Sequence, residues 1–151
     1  MPHTVRDWMS SPVVVVDPDT IVAHAMTVMR RRGIHSLVVD IGKLNAAYGI
    51  LTTTDIRDKI VAAARNPANT RVREIMSGPI VTAHPDWTLV ECSRVMQENK
   101  FHHLPVADEH GTLVGLISAT DIFTAAEEIG WEGAAVESAP RPGMIRVSTE
   151  T

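Results

Sequence analysis

The chain has 151 residues, 44% of them hydrophobic and 21% charged, with a formal net charge of −4. This composition excludes a disordered or fibrous chain, the acidic balance gives no general attraction to nucleic acid, and one domain of this length buries about 70% of the surface its unfolded form exposes. The single cysteine, Cys92, excludes intramolecular disulfides.

The N-terminus "MPHTVRDWM" carries no apolar signal segment, and apolar runs such as 13–16 fall far short of the roughly 20 residues a membrane helix needs. A water-soluble, cytoplasmic protein with no membrane contact is expected. The β-branched run at 13–16, following Pro12, predicts a short strand. Asp-Pro-Asp-Thr at 17–20 comes next, where Asp19 or Thr20 is placed to cap a helix. Ile21, Val22, Ala25, Met26, Val28 and Met29 then recur at helical spacing, with the methionines as core fillers. Arg30, Arg31 and Arg32 fall at the end of that helix, where the dipole favours cations, and read as a solvated helix end rather than a basic patch. Gly33 closes the helix. "HSLVVD" (35–40) predicts a strand, "IGKLNAA" a loop and 48–51 another strand, with a helix beginning near Thr54. The polar connector "AAARNPANTR" (62–71) is suited to the surface.

The chain then repeats itself. "VRDWMSSPVVVVDPD" (5–19) returns as "VREIMSGPIVTAHPD" (72–86), a shift of 67 residues from Val5 to Val72. "VMRRRGIHSLVV" (28–39) returns as "VMQENKFHHLPV" (95–106), and "GILTTTDI" (49–56) as "GLISATDI" (115–122). The second unit therefore predicts a strand at 80–82, a helix entered near Asp86 and carrying Leu89, Val90, Val95 and Met96, strands at 102–108 and 113–117, and a helix from about Thr120. Cys92 lies on the apolar face of its helix and reads as a buried thiol. Each unit is strand, helix, strand, strand, helix. A unit of about 60 residues buries only about 60% of its surface, so two should pack on one another. This divides the chain into a first repeat (5–61), a linker (62–71), a second repeat (72–127) and a tail (128–151). In the tail, Gly130, Gly133, Pro140, Pro142 and Gly143 oppose a long helix, "MIRV" (144–147) predicts a short strand or docking segment, and Trp131 requires burial against its own domain or a second subunit.

Both "TD" stretches lie where a strand ends and a helix begins, a junction whose free amides and dipole suit an anionic group. Gly49 and Gly115 permit close approach of another group. Thr52 and Ser118 offer hydroxyls, while Asp55 and Asp121 are able to accept the two hydrogen bonds of a sugar diol, at about 1.5–3 kcal/mol each. The same Ser/Thr-x-x-Asp spacing is a capping-box signature, so the motif alone leaves cap and pocket both open. A second polar feature, His35 in the first unit and His102 with His103 in the second, stands at the start of the preceding strand. Adjacent strand residues point to opposite faces, so His102 and His103 make a poor chelate and no metal site is expected from these with His35, His84 and His110.

The Pro-flanked first strand, "KFHHLPV", "GLISATDI" and their earlier counterparts resemble a tandem pair of CBS domains, over residues 5 to about 127. The resemblance implies an α+β fold, with the α/β-type organisation of that family: two β-α-β-β-α repeats packed through their sheets as an intramolecular pseudo-dimer. It further implies two clefts for adenosine-containing ligands, each drawing on both repeats. Asp55 with Thr52, and Asp121 with Ser118, would meet the ribose, with Thr54 and Thr120 beside them. Pro12, Val13 and Val14, and Pro79, Ile80 and Val81, would lie against the base, and His35, His102 and His103 near the phosphates. Nucleotide-sensing members often carry His-Arg where this chain has His35-Ser36 and His102-His103, and a mostly neutral histidine is a weaker phosphate clamp. AMP, ADP, ATP and S-adenosylmethionine are the implied ligands, the triphosphate being the least well served, and one degenerate site is a further outcome.

The function expected is a non-catalytic regulatory module that needs no resident cofactor, forms a homodimer and signals to a regulated protein. The alternative is a structural or oligomerisation module with no bound nucleotide. An enzyme is not expected: no Gly-x-Ser-x-Gly, phosphate loop or paired cysteine nucleophile is present.

Overall fold

The computed structural model describes residues 3–42, 47–130, 136–137, 143–144 and 147–148. In chain order the elements are α1 (Val5–Trp8), β1 (Val15–Val16), α2 (Val22–Arg32), β2 (Ser36–Gly42), β3 (Ala47–Thr52), α3 (Thr53–Ile56) continued by a π turn over Arg57–Val61, 3-10 turns at Pro67–Asn69 and Val72–Glu74, α4 (Leu89–Asn99), β4 (His103–Ala107), β5 (Leu113–Ser118), α5 (Ala119–Gly130), β6 (Val136–Glu137) and β7 (Val147–Ser148).

In the first sheet β1 runs parallel to β2 (Val15 beside Val38) and β2 antiparallel to β3 (Val38 beside Ile50). In the second, β4 and β5 are antiparallel, with Leu104 beside Ile117. The strand expected at 80–82 is replaced by a single parallel bridge, Ala83 beside Val106. The cause lies at Pro105: in the first sheet the Val38 N–H donates to the Val14 carbonyl at 3.1 Å, and at the matching position Pro105 has no N–H to give the Val81 carbonyl, while the Ile80 N–H donates to the Tyr48 carbonyl of the first repeat at 2.9 Å.

The apolar spacing of α2 buries Val22, Ala25 and Met29, and that of α4 buries Cys92 and Met96. The helix ends as expected at Gly33, left-handed at φ 61° with three arginines in the last turn. Its counterpart Lys100 adopts the same conformation at φ 58°, although a side chain disfavours it. The expected caps are not the observed ones. α2 starts at Ile21 with no side-chain cap, and α4 starts at Thr88, whose hydroxyl accepts from the Glu91 N–H at 3.1 Å.

Asp19 and Asp86 are engaged elsewhere, because the repeats exchange their opening segments. Val5 is fully buried in the second repeat's core with Ala83, Cys92, Leu104, Val106 and Ile117. Val72 and Ile75 are buried in the first repeat's core with Val22, Leu37, Val39 and Leu51. The two exchanges match bond for bond: Val5 N–H donates to the Trp87 carbonyl and Val72 N–H to that of Thr20, both at 2.9 Å. Arg6 then pairs with Asp86, and Arg73 with Asp19, both at 2.6 Å, so the two carboxylates hold the incoming segments instead of capping helices. These pairs are exposed and orient more than they stabilise.

Gly49 and Gly115 serve the same exchange. A Cβ on Gly49 would stand 2.8 Å from the Ser77 carbonyl oxygen, and one on Gly115 3.0 Å from that of Ser10. The close approach these glycines permit is therefore of the opposite repeat's backbone. In the tail, Val147 alone of the expected 144–147 segment is in a strand, the two-residue Val147–Ser148 antiparallel to Val136–Glu137, and 145–146 lie outside the described residues. Trp131, Gly133, Pro140 and Pro142 lie outside the described residues.

Candidate functional site

Each candidate site grows from a β-strand that turns directly into a helix. Backbone bonds fix the turn from behind: the Thr53 N–H donates to the His35 carbonyl at 3.0 Å, and the Ala119 N–H to that of His102 at 2.8 Å. Within the turn both capping boxes form. Asp55 Oδ2 accepts from the Thr52 N–H at 2.9 Å while the Asp55 N–H donates to Thr52 Oγ1 at 3.2 Å. Asp121 Oδ2 accepts from the Ser118 N–H at 2.8 Å, and the Asp121 N–H donates to Ser118 Oγ at 3.1 Å. Each aspartate thus spends one oxygen on its own helix and has a second to commit.

The second oxygen separates the two copies. Asp55 is 8% exposed, and its Oδ1 meets Lys59 Nζ at 3.1 Å. Lys59 is held from the other side by a 2.8 Å bond to the Ile75 carbonyl. Asp121 is half-buried, and among the described residues no cation pairs with its Oδ1. Where Lys59 stands four residues after Asp55, Ala125 stands four after Asp121.

Two cavities open at these junctions. The larger, about 480 Å³, is lined by Pro12, Val13, Val14, His35 and Ser36 of the first repeat and by His103, Ser118, Thr120 and Asp121 of the second, with Ser10, Gly33, Ile34 and Leu116 completing it. The smaller, about 210 Å³, is lined by Thr52, Thr53, Thr54 and Asp55 with Lys100, Phe101, His102 and His103, and with Ile50 and Ser77. Pro79, Ile80 and Val81 are not among its lining residues; with Ile80 bonded to Tyr48, Ser77 is what the second opening segment brings to it. His103 borders both cavities. Burial pushes its imidazole below the ordinary histidine range, His102 and His35 push the same way, and Asp121 and Asp55 oppose.

Sequence reasoning reached the motif residues and missed the ones that make the copies unequal. Lys59 had a signal, its i, i+4 spacing from Asp55. Ile34, Ser10 and Leu116 carried none: Ile34 and Ser10 are an apolar and a small residue on connecting backbone, and Leu116 is an ordinary apolar residue of β5. Cys92 is buried as expected, and desolvation raises its thiol to about 11, which leaves it unreactive.

A family model described as "CBS domain" matches residues 5–62 and 72–128. The CBS domain-containing protein YhcV of Bacillus subtilis is 30% identical over 120 residues, 79% of this chain and 82% of that protein. An uncharacterised protein of Methanopyrus kandleri is 33% identical over 95 residues, 63% of this chain, and the match spans only 48% of its length. Among solved structures, a hexameric CBS-CP12 protein from bloom-forming cyanobacteria superposes with a TM-score of 0.80 at 29% identity, covering 85% of this chain and 71% of that one.

Proposed function

The chain belongs to the CBS-domain family, and on that premise we propose that it is a non-catalytic regulatory module that binds an adenosine-containing ligand, AMP, ADP, ATP or S-adenosylmethionine, and signals its occupancy to a partner protein. The observation that carries the reading is the uncommitted oxygen of Asp121 at the wall of a cavity built from both repeats. Its volume of about 480 Å³ falls in the usual range for small-molecule sites, about 300–1,000 Å³. The wall supplies what a nucleoside needs. Pro12, Val13, Val14, Ile34 and Leu116 offer apolar surface for a base, and Ser118, Thr120 and Asp121 offer polar groups for a sugar. Because Pro12 and Asp121 come from different repeats, a ligand touching both would tighten their packing, which is a signal a partner can read. The module requires no resident cofactor, and the chemistry it regulates resides elsewhere. Among the described residues no helix is long and apolar enough to cross a membrane.

The test is calorimetric titration of the four ligands into wild type and Asp121→Ala. Saturable binding that the substitution abolishes or weakens supports the reading, and absence of binding by every ligand overturns it.

A second reading, an oligomerisation module, is favoured by two apolar grooves in equivalent places. One of about 300 Å³ lies between α2 and α3 and holds Met26, Met29, Ile34 and Ile56. The other, about 490 Å³, lies between α4 and α5 and holds Met96, Phe101 and Ile122, with Phe123 68% exposed on α5. Such faces suit a second copy of the chain, and the related CBS-CP12 protein is hexameric. Light scattering on the purified chain, with and without ligand, measures whether association accompanies binding or replaces it.

A further inference from the structure

We infer that Lys59 and Phe101 close the Asp55 cleft, so that each chain holds one adenosine-type ligand, in the Asp121 cleft. The inference rests on the adenosine reading above and concerns which of two like sites carries it. A ribose hydroxyl needs a carboxylate oxygen that is not already committed, and among the described residues Asp121 Oδ1 is one, its Oδ2 alone being held by the Ser118 N–H. Asp55 has neither free: Oδ2 is bound by the Thr52 N–H and Oδ1 by Lys59. A sugar would have to break an ion pair around a carboxylate that is 8% exposed. Lys59 is not readily displaced, because its second bond, to the Ile75 carbonyl, ties it to the exchanged segment in the first repeat's core.

Size acts in the same direction. Where the Asp121 cleft is bordered by Gly33, Ile34 and Ser36, the Asp55 cleft is bordered by Lys100, Phe101 and His103, larger at every step. The remaining space, about 210 Å³, is below the usual lower bound of about 300 Å³ for a ligand site. Phe101 supplies much of that bulk while remaining packed against the second repeat's core.

The experiment counts sites by calorimetry with adenosine, AMP, ADP, ATP and S-adenosylmethionine as probes, and transplants the Asp121-side residues onto the Asp55 side. Wild type is expected to bind at one site per chain. Asp55→Ala should leave that stoichiometry and affinity unchanged, and Asp121→Ala should weaken binding roughly 10- to 150-fold. The double variant Lys59→Ala/Phe101→Ile, which copies Ala125 and Ile34, is expected to bind at two sites, and adding Asp121→Ala to it should weaken one of the two. Should the Phe101 change impair folding, Lys59→Ala alone, at a half-exposed side chain, is expected to add a second, weaker site. Two sites in wild type, or loss of binding with Asp55→Ala, overturns the closure and leaves the adenosine reading standing. Single-site binding by Lys59→Ala and by the folded double variant also overturns it. No binding of any probe to wild type or to the double variant overturns both.

Discussion

The two strand-to-helix junctions share one signature, hydroxyl at the turn and aspartate three residues on, and both use it as a capping box. They differ in what surrounds it. At Asp55 the spare oxygen is taken by Lys59, the helix gives way to a π turn after one turn, and bulky side chains crowd the cleft. At Asp121 the same position after the aspartate is Ala125, α5 runs unbroken to Gly130, and the cavity is more than twice as large. A duplicated motif is thus a duplicated backbone, and whether each copy is a site depends on residues outside it.

The largest test of this comparison strikes the exchange that positions both clefts. Ile75 is 1% exposed in the first core, and its counterpart in the opening segment is Trp8, half-buried with an indole N–H that has no partner among the described residues. Ile75→Ala should cost about 2–5 kcal/mol of unfolding free energy in urea titrations. Trp8→Phe should be nearly neutral, since it removes an unsatisfied donor along with some apolar contact. Equal losses would show that the exchanged segments contribute alike despite their different burial.

Next in size is the contrast between the aspartates. Asp121→Ala should cost about 1.5–3 kcal/mol of ligand binding, a roughly 10- to 150-fold rise in Kd. It should also cost about 0.5–2 kcal/mol of stability as a lost cap. Asp55→Ala should show the stability loss alone. If calorimetry finds the two Kd values moving together, the clefts are equivalent and the closure at Asp55 is wrong.

The repeat, most of the order of strands and helices and the paired Thr52–Asp55 and Ser118–Asp121 motifs were legible, because periodicity and spacing are local properties of the chain; the strand read at 80–82 and the unread helix Val5–Trp8 are the exceptions. The exchange was not. A constant shift of 67 residues between copies holds whether each opening segment packs in its own unit or in the other. Only the meeting of Val5 with Leu104, and of Val72 with Leu37, decides it. The same limit hid the inequality of the clefts: Asp55 and Asp121 read alike until Lys59 is seen on one of them. The caps were misplaced for a related reason, since Asp19 and Asp86 had a second partner 54 and 80 residues away.

A smaller effect separates the two long helices. Thr88 caps α4 with its hydroxyl, whereas the corresponding Ile21 leaves α2 uncapped and is 40% exposed. Thr88→Ala should lower stability by about 1 kcal/mol. Ile21→Thr, which supplies the missing acceptor, should raise it by at most a similar amount. Thermal melts of the two variants side by side make the comparison, and a destabilised Ile21→Thr would mean that its apolar contact outweighs the cap.

The finest distinction lies at His103, which borders both clefts where the first repeat has Ser36. In the fold its pKa lies below the ordinary value, first through burial and then through His102 and His35, with Asp121 and Asp55 limiting the shift. The unfolded chain therefore takes up a proton near pH 6.5 while the folded chain still resists it. This contribution is fully present above about pH 6.5 and is lost as the pH falls through the lower folded value. Melting temperatures taken from pH 7.5 down to 5 should decline over that window, and His103→Ser, which installs the first repeat's residue, should flatten the decline. A slope unchanged by the substitution would assign the titration to other groups and leave His103 as a wall between the clefts rather than a charge that both of them sense.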